Sequence, residues 1–227
     1  MSDNKNLLKY LGVLFIVVLL TYKVPYDSYS IIEYIIRPIG LNGGTVYISG
    51  LVPLVIFIIG LRGLFKLERF QNTSKILIFI GVVLIVIPTM QWTVDAGRST
   101  YHRINGHDLQ GVDFVDGEIT LSGTDEEIMI RSKLEIKDYS RGQNRFNIRL
   151  YLPESLQEVT GKEFYDFEQE YITHGNRREK VITKQIFISL EDEWAQEDFF
   201  RARWYNQDIK YKLYNEEEAI TLINRGQ

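Results

Sequence analysis

Few side chains in this sequence of 227 residues are of the kinds that move protons, attack substrates or hold metals. There are three histidines, His102, His107 and His174, and no cysteine. A zinc site needs three or four converging ligands whose outer partners hold them in place. His102 and His107 lie five apart in a polar segment, and His174 lies in the turn-like run His174-Gly175-Asn176. That spacing predicts solvated loop histidines and no metal. Asp113, Asp116 and Glu118 gather near one expected hairpin, and Asp125, Glu126 and Glu127 near the next turn. Calcium favours such oxygen ligands, but the twelve-residue calcium-loop signature is missing, so wet acidic turns are expected.

The remaining chemistries find little support. No serine stands in a nucleophile-elbow context. Gly40, Gly43 and Gly44 adjoin an apolar run rather than a strand, which is the wrong setting for a phosphate loop. Without cysteine there is no disulfide, no thiolate site and no lipid-modifiable thiol. The expectation is therefore no catalytic residue, no metal and no cofactor. The aromatics Trp194, Phe199, Phe200, Trp204 and Tyr205 fit a sugar-stacking or protein-binding patch. A small β-domain also needs large apolar anchors, so several of them are expected in its core.

The elements that must position these residues fall into two halves. A mean hydropathy of -0.12 averages them and hides the contrast. Three long apolar runs come first, read as transmembrane helices over about 7–25, 45–65 and 75–94. About 20 residues cross a hydrocarbon core of about 30 Å. Ile76 to Met90 carries no charge, and Gln91, Trp92 and Asp95 mark its end. No small-x-small cleavage site follows the first run, so it is expected to stay as a span. Residues 28–37 are too short to span. They read as a short helix lying in the interface or packed on the spans. Leu41 to Gly44 reads as a flexible connection, and Pro53 as a possible kink in the second span.

Charge gives an orientation. Residues 1–93 hold eight basic and four acidic side chains, a net of +4, and residues 94–227 a net of -8. Arg62, Lys66, Arg69 and Lys75 crowd one short loop. Such loops stay cytoplasmic, which places the N-terminus inside and the C-terminal half on the extracytoplasmic side. The sequon Asn72-Thr73-Ser74 falls in that inner loop and reads as chance.

Residues 95–108 read as a linker and 109–227 as a β-domain. Asp116-Gly117 between Val112–Val115 and Glu118–Leu121 predicts a two-residue hairpin. Ile128, Ile130, Leu134 and Ile136 alternate with charges, and so do Phe146, Ile148, Leu150 and Leu152. Ser140 to Asn144 then reads as a hairpin loop joining them. Pro153 to Lys162 reads as a connection with one helical turn. Strands follow at Phe164–Tyr171, Lys180–Leu190, Phe199–Tyr205, Ile209–Tyr214 and Ala219–Ile223. Eight or nine short strands point to an antiparallel β-sandwich, with a β-barrel as alternative. A fragment from about Asn105 is expected to fold alone.

The expected function is a non-enzymatic integral membrane protein that presents its sandwich for protein or cell-envelope interaction. Its partners are then the lipid bilayer and another membrane or envelope protein. An acidic outer half argues against nucleic acid. Two alternatives remain: an accessory subunit of a transport or secretion complex, and an envelope enzyme acting on lipid or glycan. In layout alone, with no motif behind it, the chain resembles small bacterial membrane proteins with an outward β-domain.

Overall fold

A computed structural model describes residues 2–41, 44–105, 108–123, 127–189 and 207–225. The chain divides into two compact units. One holds Met1–Lys23 and Tyr29–Arg98, the other Val24–Ser28 and Ser99–Gln227.

The first unit is helical. Its main elements are α1 (Ser2–Thr21), the single-turn α2 (Ile31–Ile35), α3 (Leu51–Phe65), α4 (Lys75–Gly81) and the greater part of α5 (Ile87–Asn105), whose residues from Ser99 belong to the second unit. Three stretches are long and apolar enough to cross a membrane: Asp3–Thr21, Ile48–Phe65 and Lys75–His102. A short ribbon of β1 (Ile39–Leu41) and β2 (Gly44–Val46) forms around the expected flexible connection, of which Asn42 and Gly43 lie outside the described residues.

Close packing of α1 on α3 depends on glycine. A Cβ at Gly63 would strike the Tyr10 ring, and one at Gly60 would sit 3.0 Å from Leu14. Small residues let membrane helices approach this closely. Leu14, Leu64, Leu67, Ile78 and Val82 are buried in the resulting core. At one end, Arg69 Nε donates to Asp3 Oδ2 at 3.0 Å, and the same guanidinium bonds Asn4.

The two prolines within the apolar helices, Pro53 and Pro88, behave differently. Pro53 falls in the first turn of α3, where its missing N–H has no partner to lose, so the kink expected there is not required. Pro88 follows a π-helical turn, Val82–Val86, and the Ile87 N–H reaches back five residues to the Val82 carbonyl. A proline ring collides with the carbonyl four residues earlier, here Leu84, and a wider turn relieves that collision.

The second unit is a sandwich of two antiparallel sheets, not closed into a barrel. Its strands are β3 (Val112–Gly123), β4 (Glu127–Asp138), β5 (Asn144–Tyr151), β6 (Phe164–Thr173), β7 (Arg178–Ser189), β8 (Ile209–Tyr214) and β9 (Ala219–Asn224). One sheet runs β3-β4-β7 and the other β6-β5-β8-β9. A short helix, α6 (Glu154–Thr160), links β5 to β6. Alternation works as expected in β4 and β5. Ile128, Ile130, Leu134, Ile136, Ile148 and Leu150 are fully buried between the sheets.

Several expectations are corrected. Of the expected linker 95–108, residues 95–105 are helical, because α5 continues to Asn105. The Asp116-Gly117 hairpin does not form. β3 runs straight through it, with a bulge between Phe114 and Asp116. The extra residue shifts the parity, so Val112 and Phe114 before it share a face with Ile119 and Leu121 after it. Gly117 serves close approach instead of a turn. A Cβ there would meet the Phe114 ring at 3.1 Å and Asn224 at 3.2 Å.

Ser140–Asn144 is not a hairpin loop between paired strands, since β4 and β5 lie in different sheets. The link from β6 to β7 crosses between sheets as well. Seven strands make up the sandwich among the described residues. The expected strand Phe199–Tyr205 lies outside them.

The unit also takes in a distant segment. Asp27 bridges Ile223 in parallel, the Ser28 N–H donates to the Ile223 carbonyl at 2.9 Å, and the Ile223 N–H to Tyr26 O at 2.8 Å. Val24–Ser28 thus borders β9, although β9 lies about two hundred residues later in the chain.

The helix packing gives a direct test. Gly63→Leu is expected to lower the thermal stability of the full chain in detergent, with overpacking costs of about 1–3 kcal/mol. Gly97→Leu, at a site with open space around it, is expected to change little. Equal effects of the two variants would contradict the role given to Gly63.

Candidate functional site

Of the two described histidines, His102 is the one placed to do more than face solvent, and the sequence had it in a linker. It lies near the end of α5 and is fully buried. Nδ1 is 3.1 Å from the Gln110 carbonyl oxygen, and Nε2 is 2.9 Å from Asp113 Oδ2. A carbonyl only accepts, so Nδ1 carries hydrogen. Three aromatic rings close the site. Tyr139 stacks on the imidazole at 5.0 Å, and Tyr26 and Tyr101 meet it edge-on at 5.6 and 5.5 Å.

Asp113 is equally buried, at 1% exposure. Its Oδ1 accepts the backbone N–H groups of Phe114 and of Tyr26, each at 2.8 Å. Tyr26 adds a hydroxyl bond to the Gln110 carbonyl at 2.6 Å. It holds this position with φ of 65°, the left-handed region that costs a residue with a Cβ roughly 1–2 kcal/mol. Surrounding contacts must hold such a residue in place. Next to it, Asp27 is 3% exposed and takes Arg225 Nε at 3.1 Å and the other guanidinium arm at 3.0 Å.

A His–Asp pair resembles the acid–base half of a hydrolase, but this one is sealed. Both ring nitrogens are engaged, and neither residue reaches solvent. Its geometry suits holding chain segments together rather than turning over a substrate.

A second buried carboxylate does similar work at the sheet corners. Asp138 Oδ1 accepts the Ser140 N–H at 2.9 Å. Its Oδ2 accepts Thr173 Oγ1 at 2.6 Å, and Asn144 Nδ2 and the Gly175 N–H each at 3.1 Å. These donors flank both crossings between the sheets, 138–144 and 173–178. Gly175 is left-handed, with φ of 60°, and a Cβ there would strike the Ser140 carbonyl.

The outer face of the four-stranded sheet is different. The Arg149 guanidinium lies 3.8 Å from the Phe164 ring centroid and 5.6 Å from that of Tyr214. It grips Asp166 through two bonds of 2.8 and 3.0 Å. Arg149 therefore holds the Asp166 carboxyl below its ordinary value. Tyr151 packs beside Phe164 at 5.8 Å. An open cleft of about 580 Å³ is bordered by Arg145, Asn147, Glu170 and Tyr214. In the interior, burial pushes the Tyr211 hydroxyl up to about 12, and it shares a 2.9 Å hydrogen bond with Ser132.

The other candidates scatter. His174 is exposed in its turn, Asp116 and Glu118 are exposed along β3, and Glu127 is exposed at the start of β4. Among the described residues no three His, Asp or Glu side chains form a group that could hold a metal ion. His107, Asp125, Glu126 and the aromatics Trp194, Phe199, Phe200, Trp204 and Tyr205 lie outside the described residues. Sequence reading missed the His102–Asp113–Tyr26 cluster. No protein-family model matches the chain, and no curated protein aligns with it.

Two predictions follow from this geometry. His102→Ala strands Asp113 without its partner and is expected to cost about 3–5 kcal/mol in equilibrium unfolding. Asp113→Asn keeps an acceptor for both backbone N–H groups and can donate to Nε2 of a neutral His102, so its cost is expected to be clearly smaller. The reverse order would contradict the hydrogen-bond assignment. At the surface, the lowered Asp166 value means its pairing stabilises above the unfolded value and is lost as pH falls through the folded one. Asp166→Asn is thus expected to cost under about 1 kcal/mol near neutral pH and nothing in strong acid. A cost that grew on acidification would contradict the pairing.

Proposed function

We propose that this chain is a non-enzymatic integral membrane protein whose sandwich lies on the extracytoplasmic side and docks another membrane or envelope protein. The single observation that carries the docking role is the outer face of β6-β5-β8-β9. There Arg149, Phe164, Tyr214 and Tyr151 form a fixed aromatic–guanidinium group that is only half-buried. Arginine and aromatics supply most binding anchors at protein interfaces. Arg149 is already oriented by Asp166, so little side-chain freedom is lost on contact.

The orientation rests on charge. The four basic residues of Arg62–Lys75 favour a cytoplasmic loop. The Asp3–Arg69 pair joins the start of α1 to that loop, so both ends belong on one side. Three spans then leave the residues after α5 on the opposite side.

Sidedness and docking are tested together. The chain has no native cysteine, so single cysteines report cleanly. Gln185→Cys sits on an exposed strand position and Asn72→Cys in the basic loop; Gly175 is unsuitable because a side chain there collides. In whole cells an impermeant thiol reagent is expected to label position 185 and spare position 72. The opposite pattern would put the sandwich in the cytoplasm. A photo-crosslinker at Asn147 is expected to give a partner adduct that Phe164→Ala diminishes. An adduct indifferent to Phe164 would exclude this face.

A further inference from the structure

The strap Val24–Ser28 interrupts the first unit's sequence after Lys23, the end of α5 follows that sequence after Arg98, and both segments meet one carboxylate. The strap follows α1, the first apolar helix. Residues 99–105 complete α5, which continues the third. Asp113 Oδ1 accepts the Tyr26 N–H of the strap, while Oδ2 faces His102 of α5. We propose that Asp113 is a junction that couples these two segments, so that releasing one loosens the other.

Three observations support the coupling. First, the carboxylate is fully buried, so losing either partner leaves charge or lone pairs without water to compensate. Second, Tyr26 is left-handed, a conformation that surrounding contacts must hold, and the Asp113 bond to its N–H is one of those contacts. Third, both segments also share the Gln110 carbonyl, which accepts from the Tyr26 hydroxyl and from His102 Nδ1. The strap is also tied to β9 and its end by the Ile223 pairing, by the Ser28 hydroxyl, which accepts the Arg225 N–H at 2.9 Å, and by the Asp27–Arg225 pair, and Tyr26 packs against the core. Local opening of a short segment is read separately from opening of the core strands by hydrogen exchange. Coupling of this sort is reciprocal by thermodynamic necessity.

Hydrogen exchange read by mass spectrometry on the full chain in nanodiscs tests the junction from both sides. His102→Ala is expected to speed exchange in peptides covering 24–28 on the order of tenfold or more, with β4 and β5 peptides unchanged. Asp27→Asn loosens the strap from its far end and is expected to speed exchange at 99–105 as well. Asp113→Asn is expected to hold both segments near wild-type rates. The junction is overturned if each substitution affects only its own segment. It is also overturned if His102→Ala raises exchange evenly through the sandwich, which would mark a merely global loss of stability. Should His102→Ala fail to fold, the Asp27→Asn result decides alone.

Discussion

A carboxylate sealed from water must be fully hydrogen-bonded, and Asp113 meets that demand only by recruiting residues from outside its own sheet. Phe114 supplies one N–H locally. Tyr26 supplies another, and His102 Nε2 faces the second oxygen; both residues belong to chain segments that precede the sandwich strands. The β-unit is for this reason not a continuous stretch of sequence. It gathers Val24–Ser28 and Ser99 onward around one buried group. Asp138 applies the same logic at the corners. Its donors fix both places where the chain crosses between sheets, and so separate β4 from β5 and β6 from β7.

What was legible in the sequence was periodic. Ile128 to Ile136, broken at Ser132, and Phe146 to Leu152 alternate, and the strands appear where that alternation places them. The three apolar helices were legible from length and the absence of charge. What was hidden broke a period or depended on distance. The bulge at Phe114 and Asp116 moves the apolar positions from even to odd numbers, and Asp-Gly beside it imitates a turn. The Ser140–Asn144 and His174–Asn176 loops have ordinary turn composition. Only Asp138, read with its partners in space, reveals that they join different sheets. The strap was invisible because nothing local in Val-Pro-Tyr-Asp-Ser announces a partner at Ile223. His102 was misread because an expected linker turned out to be the last turns of a helix.

The functional reading follows the same division. The buried pair has the residue types of catalysis but no access for a substrate, and its role is architectural. The exposed Arg149 group has access and preset geometry, so it carries the docking proposal. In the helical unit, Gly60 and Gly63 commit one face of α3 to α1. The third apolar helix is left with most of its surface uncovered within the chain, as lipid or partner helices require.

The central claim is that the sandwich is incomplete without its two outlying segments. Urea unfolding of two soluble pieces tests it directly: residues 105–227 alone, and residues 99–227 preceded by residues 22–29 on a flexible linker. The account predicts that the second unfolds cooperatively with a clearly higher midpoint, while the first, lacking both His102 and Tyr26, is loosely packed or far less stable. Equal midpoints and equally sharp transitions would contradict it, and would return Asp113 to the status of an ordinary strand residue.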